Sequence, residues 1–315
     1  MKSVNSFKSI KSTVTRGFVP LLTAAAFFSA CSNNDENTVV NDNDRVAVKF
    51  ASTEASIVTR VIDDKWDTDD KIGIYMIAND ATGLTAGDIK EGANNICYKA
   101  AGSGSQDFSI NDVAKTIYYP VSGAVKFIAY YPYVENVSSY TLNIDLSSQG
   151  NQSAIDVLYA ATNNGGSGYT KTSSAVTLPF AHKLAKVVFN ISNGAGVNEN
   201  LANGLVVKIT GQNTSGSLAL ATGVVTSTGG ESSEIQAHNS GNNTKAEAIV
   251  FPGTKGSKQF SFKNAANETF ITAIPDDFEA GKKYTYTVTL KKTAAIINGS
   301  ISNWQDGANN IVTAE

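Results

Sequence analysis

Residues 284–291 read Tyr284-Thr285-Tyr286-Thr287-Val288-Thr289-Leu290-Lys291. Tyr284, Tyr286, Val288 and Leu290 fall on one face, and Thr285, Thr287, Thr289 and Lys291 on the other. This period of two marks a half-buried strand. A helix would scatter the same apolar residues around its circumference. Tyr, Thr and Val are also the residue types that fit a pleated surface.

The same signature recurs outward in both directions. Val46, Val48 and Phe50 alternate with Ala47, Lys49 and Ala51. Further strands are expected at Lys71–Met76, Ile117–Pro120, Tyr140–Leu146 and Asp156–Ala160. Val125–Tyr131 is apolar on nearly every residue, as expected of a strand covered on both faces. The later series is Leu184–Ile191, Leu205–Thr210, Ser217–Ala221, Ala246–Phe251, Gln259–Phe262 and Thr269–Ile274. Turn signals separate them, Asn163–Gly168 being the plainest. No long segment carries helical periodicity. Short, regularly spaced strands indicate all-β sandwich domains rather than a parallel sheet. The best boundary lies at Leu178-Pro179-Phe180, giving domains over 45–179 and 180–315.

The N-terminus has a different logic. Lys2, Lys8, Lys11 and Arg16 precede an apolar run from Phe18 to Ala30 that stops at Cys31. The run falls short of the roughly 20 residues that span a bilayer and suits a secretory signal peptide over 1–30. Phe28-Ser29-Ala30-Cys31 reads as a lipobox, in which the Cys31 thiol takes the lipid (palmitate among its chains). Phe28 stands where Leu is commoner, and a plain signal peptide cleaved nearby is the alternative. Residues 31–44 are too polar to bury a core and form a flexible tether. The chain is thus expected as a surface-exposed lipoprotein of the outer membrane.

Composition excludes several classes of function. Hydrophobic residues are 42%, charged residues 17% and the net charge is −3. No basic field exists to attract nucleic acid. Cys97 is the only thiol left in the mature chain, so neither an internal disulfide nor a cysteine metal site is expected. The two histidines, His182 and His238, are far apart, and nucleophile, zinc and phosphate-loop motifs are absent. His182 reads as a structural histidine with hydrogen-bonded ring nitrogens, and His238 as solvated in a loop. The acidic run Asp63, Asp64, Asp67, Asp69 and Asp70 lacks the spacing of a calcium loop and reads as solvated. Tyr118-Tyr119 and Tyr130-Tyr131-Pro132-Tyr133 read as core, with a sugar-stacking surface as the alternative. No cofactor and no catalytic residue are expected.

A set of phrases resembles the fimbrillin family, in its Mfa-like branch of pilins and surface lipoproteins of Gram-negative anaerobes. Thr59-Arg60 stands ahead of Trp66, and Asp70–Met76 follows it. Next come Ile117–Pro120, Lys126–Pro132, Asp156–Ala160 and Leu178–Val187. Phe278–Tyr284 and Trp304 close the series. Asp35-Glu36 resembles a surface-export signal. The resemblance implies two transthyretin-like β-sandwich domains and assembly with other pilus subunits by strand complementation. A protease would cut after Arg60, and the first strand, with Val46, Val48 and Phe50 toward a groove, would leave. Cutting at Arg45 would leave that strand in place. The strand is expected at a sheet edge, its three side chains contributing about 5–8 kcal/mol before ordering costs. Residues after Trp304 look poor as a donor strand. A tip, accessory or anchor subunit that meets a host or bacterial ligand is therefore expected before a stalk subunit. The alternative is a stand-alone glycan-binding lipoprotein.

Overall fold

A computed structural model describes residues 45–52, 66–68, 70–229, 233–292 and 294–304. The expected signal peptide and tether, with Cys31, and the segment with Arg60, Asp63 and Asp64 lie outside the described residues, as do Asp69 and residues 305–315. What is described is nearly all β. Its first strands are β1 (Phe50–Ser52), β2 (Lys71–Ala78), β3 (Ile96–Ala100), β4 (Asp107–Ile110) and β5 (Val125–Tyr131). Next come β6 (Thr141–Asp145), β7 (Leu158–Thr162), β8 (Val176–Leu178), β9 (Ala181–His182) and β10 (Ala185–Asn193). The series continues with β11 (Leu205–Thr210), β12 (Ser215–Ala219), β13 (Val224–Thr228), β14 (Glu234–Gln236) and β15 (His238–Ser240). It ends with β16 (Lys245–Val250), β17 (Gln259–Asn264), β18 (Thr269–Ala273), β19 (Lys282–Lys291) and β20 (Ala294–Asn303). Helical structure among the described residues is limited to short 3-10 turns, none long and apolar enough to cross a membrane.

An eight-stranded sheet has the order β8-β1-β4-β3-β2-β5-β7-β9. A five-stranded sheet runs β15-β16-β10-β19-β20, and a four-stranded one β14-β11-β17-β18. A three-stranded sheet, β13-β12-β6, pairs β6 with β12 so that Leu142 lies opposite Leu218. Pairing is antiparallel except for β1 with β8 and β10 with β19. The parallel β10–β19 pair places the diagnostic stretch of residues 284–291 in mid-sheet. Its Tyr284, Tyr286, Val288 and Leu290 are fully buried, while the Thr face is not.

Two apolar clusters share the large sheet. Phe127, Ala129 and Tyr131 of β5 enter one, together with Val48, Phe50 and Trp66. Ile128 and Tyr130 enter the other, with Val187, Phe189, Val207 and Tyr286. Side chains alternate across a strand, so β5 is buried on both faces, as its apolar run implied.

Two expectations are corrected. Ile117–Pro120 is no strand: it makes one bridge, Ala47 to Tyr118, and Pro120 has no N–H to extend a ladder. The first strand is not at an edge. β1 lies between β4 and β8, and the edge belongs to β8. Phe189 meets Phe260 at 4.8 Å, Phe262 at 5.5 Å and Tyr286 at 6.0 Å between ring centroids. Phe189→Ala is expected to cost about 3–5 kcal/mol in urea unfolding. A loss below about 1 kcal/mol would show that these rings are not packed against one another.

Candidate functional site

The site is the seat of the first strand. On one side, Val48 N–H donates to Ile117 O at 2.9 Å, Tyr119 N–H to Val46 O at 3.0 Å and Ser52 N–H to Gln106 O at 2.8 Å. On the other, Val176 N–H donates to Lys49 O at 2.8 Å. Phe50 stands opposite Phe108 of β4 and Val176 of β8. Both edges of the segment are therefore paired.

Its side chains enter the core in alternation, but the phase ends one residue pair later than expected. Val48 and Phe50 are 4% and 2% exposed, and Ser52 is 4% exposed, whereas Val46 is 40% exposed. The Phe50 ring sits edge-on to Tyr98 at 5.0 Å and to Phe127 at 5.1 Å. Such contacts add about 0.5–1.5 kcal/mol each beyond area burial. Trp66 closes the floor, edge-on to Phe108 at 5.1 Å and to Tyr131 and Phe180 at 5.5 Å. Its indole N–H donates to Ser52 Oγ at 3.1 Å, and Ser52 Oγ donates to Gln106 O at 3.3 Å. The one polar side chain of the strand is thereby satisfied within the core.

Asp70, read as part of a solvated acidic loop, is buried. It accepts from Tyr131 Oη at 2.9 Å and from Asp67 N–H at 2.7 Å. It fastens the start of β2 under Trp66. Burial pushes the phenols of Tyr98 and Tyr119 up, Tyr119 to about 12. Groups of three or more acidic, His or Cys side chains that could hold a metal are absent among the described residues.

Other singled-out residues lie elsewhere. His182 Nδ1 is 2.9 Å from Asp156 Oδ1, and its ring stacks on Trp304 with centroids 4.0 Å apart. Its Nε2 has no hydrogen-bond partner among the described residues, so one ring nitrogen rather than both is engaged there. His238 starts strand β15 instead of lying in a loop, and is exposed. Cys97 is half-buried in β3, and burial pushes its thiol up. Tyr130 and Tyr131 are 0% and 4% exposed, so neither presents a ring to solvent. Arg45 lies over the Tyr118 ring at 4.1 Å. Missed entirely was β8, whose Val176 and Leu178 are fully buried beside β1. Three residues carry too little alternation to be seen.

The family model described as fimbrillin-like matches residues 59–304. The chain belongs to the fimbrillin-like family. This fimbrillin-like chain is 31% identical over 298 residues to Fim1C, a candidate fimbrium subunit of Bacteroides uniformis, covering 91% of this chain and 94% of the relative. A crystal structure of a candidate cell adhesion protein from Bacteroides uniformis is similar at TM-score 0.70 and 29% identity. That likeness spans 84% of this chain and 99% of the other. A corresponding protein of Bacteroides ovatus shares the fold at TM-score 0.64 and 22% identity, over 82% of this chain and 98% of that one.

Two substitutions in the first segment separate seated from unseated side chains. Phe50→Ala is expected to lower stability by about 3–5 kcal/mol, and Val46→Ala by no more than about 0.5 kcal/mol. Chemical denaturation reads both, and equal losses would mean that the strand is not seated as described.

Proposed function

We propose that the chain is a fimbrial subunit in a tip, accessory or anchor position, assembling by strand complementation and serving adhesion at the cell surface. The family match carries this reading, and the seat of β1, bonded on both sides in mid-sheet rather than at an edge, sets what an exchange would have to break. The strand is three residues long, first among those described, and held in an aromatic core by Val48 and Phe50. Residues 53–65, with Arg60, join it to Trp66. The family match begins at residue 59, beyond the strand and beside Arg60.

Cleavage after Arg60 would cut the strand's covalent link to the rest of the fold. Its departure would open a slot with β4 on one side and β8 on the other. An incoming segment would restore two rows of backbone hydrogen bonds and refill the pockets of Val48 and Phe50, as in other strand-donation systems. Those two side chains contribute about 3–6 kcal/mol before ordering costs, less than three would. Backbone groups left unpaired in an apolar slot each cost about 1–3 kcal/mol. The exchange is therefore expected to be concerted, the donor entering as β1 leaves. Lipidation at Cys31, an outer-membrane location and the two-domain division at Leu178-Pro179-Phe180 belong to the same proposal.

The test is N-terminal sequencing of the protein from isolated surface fimbriae. A start at Val61 is expected, and Arg60→Ala is expected to remain lipidated, monomeric and membrane-bound. Polymers built wholly of chains that begin at Cys31 would end the exchange mechanism and leave only an anchoring role.

A further inference from the structure

A second site lies on the opposite face of the large sheet. Tyr75 of β2 and Tyr130 of β5 point away from the face that holds Phe50. Tyr75 forms the floor of a cleft of about 360 Å³, walled by Asn94, Asn95, Lys115, Tyr133, Glu135 and Asn136. That volume is at the small end of the range of ligand pockets, roughly 300–1,000 Å³.

The frame beneath the cleft is fixed by residues remote in sequence. Tyr130 Oη is 2.8 Å from Asn95 Oδ1 and 2.9 Å from Val134 O, and accepts from Val134 N–H at 3.2 Å. Asn95 Nδ2 donates to Val134 O at 2.9 Å and to Glu135 O at 3.1 Å. Tyr133 N–H donates to Lys71 O at 2.9 Å. Gly73 makes room for this network, since a Cβ there would lie 2.2 Å from Tyr130 Cε1 and 2.7 Å from Asn95 Oδ1. Asn95 itself holds a left-handed backbone, φ +55°, of the kind that gathers where structure over-determines it.

Above this frame the polar groups face solvent. The side chains of Asn94, Lys115, Glu135 and Asn136 make no hydrogen bond to a described residue. Tyr133 packs partly on the core while lining the cleft. A rigid base under solvent-facing donors and acceptors is a polar surface on which a ligand's hydroxyls can replace water. Side-chain amides suit paired hydroxyls, offering donor and acceptor together. A tyrosine ring offers a flat apolar surface beside them. Lys115 and Glu135 bring one charge of each sign to the cleft, so its lining carries no net charge.

We propose that this cleft binds a neutral saccharide, with an apolar sugar face on Tyr133 and hydroxyls on Asn94, Glu135 and Asn136. The assignment rests on the adhesion part of the function above and is independent of strand exchange. The full chain is applied to an array of neutral and sialylated oligosaccharides, and retained glycans are measured by calorimetry. Neutral glycans are expected to be retained, with Kd raised about tenfold or more by Asn136→Ala and by Tyr133→Ala. Val121→Ala, on another exposed loop, and Arg60→Ala are expected to leave Kd unchanged, which separates sugar binding from assembly. If Tyr133→Ala fails to fold by circular dichroism, Asn94→Ala and Asn136→Ala decide. No retention of any neutral glycan, or retention unaltered in folded cleft variants, overturns the proposal.

Discussion

The structure depends on burying one sheet from both sides. In β5, Phe127, Ala129 and Tyr131 face one core, and Ile128 and Tyr130 the other. In β2, Ile72, Ile74 and Met76 face the first, and Tyr75 and Ile77 the second. Peptide groups in such strands have no water to turn to, so both of their edges must be paired. β2 bonds β3 and β5, and β5 bonds β2 and β7, which meets that demand. The second core then extends into β10, β11 and β19.

Where burial was one-sided or two-sided over six or more residues, the pattern was legible. β5 and β11 fall on their expected residues, and the diagnostic stretch lies within β19. Strands that escaped notice lack such a pattern. β20 reads Ala-Ala-Ile-Ile-Asn-Gly-Ser-Ile-Ser-Asn, and its pairing is dictated by β19 across from it. Gly299 there faces Tyr286, and a Cβ would come within 2.7 Å of the ring. The glycine looks like a turn signal in sequence, yet it serves the aromatic partner of a long ladder.

The first segment illustrates a different blindness. Its alternation was plain, and Val48 and Phe50 are buried as that alternation requires. Alternation reports which face is apolar, but it carries no information about neighbours along the sheet. β8, separated from β1 by more than a hundred residues in sequence, approaches parallel and takes the edge. Val46 is paired through its carbonyl with Tyr119, but its side chain stays exposed, so the apolar period overran the seat. Asp70 was misread for a similar reason: charge in sequence suggested solvent, whereas Tyr131 from β5 supplies its hydrogen bond.

The proposed cleft and the seat of β1 lie on opposite faces of the same sheet, but they meet in the segment after β4, where Lys115 walls the cleft and Ile117 and Tyr119 bond the first strand. β4 and β3 lie between β1 and β2, and the Tyr130–Asn95–Val134 frame bonds none of β1, β4 or β8. Emptying and refilling the β1 slot would leave that frame with all of its hydrogen bonds. An adhesive polymer of the proposed kind would need this constancy of the frame, so that its subunits bind alike in each position. The doubly buried β2–β5 pair supplies it, being closely packed enough to resist deformation while presenting a different chemistry to each side.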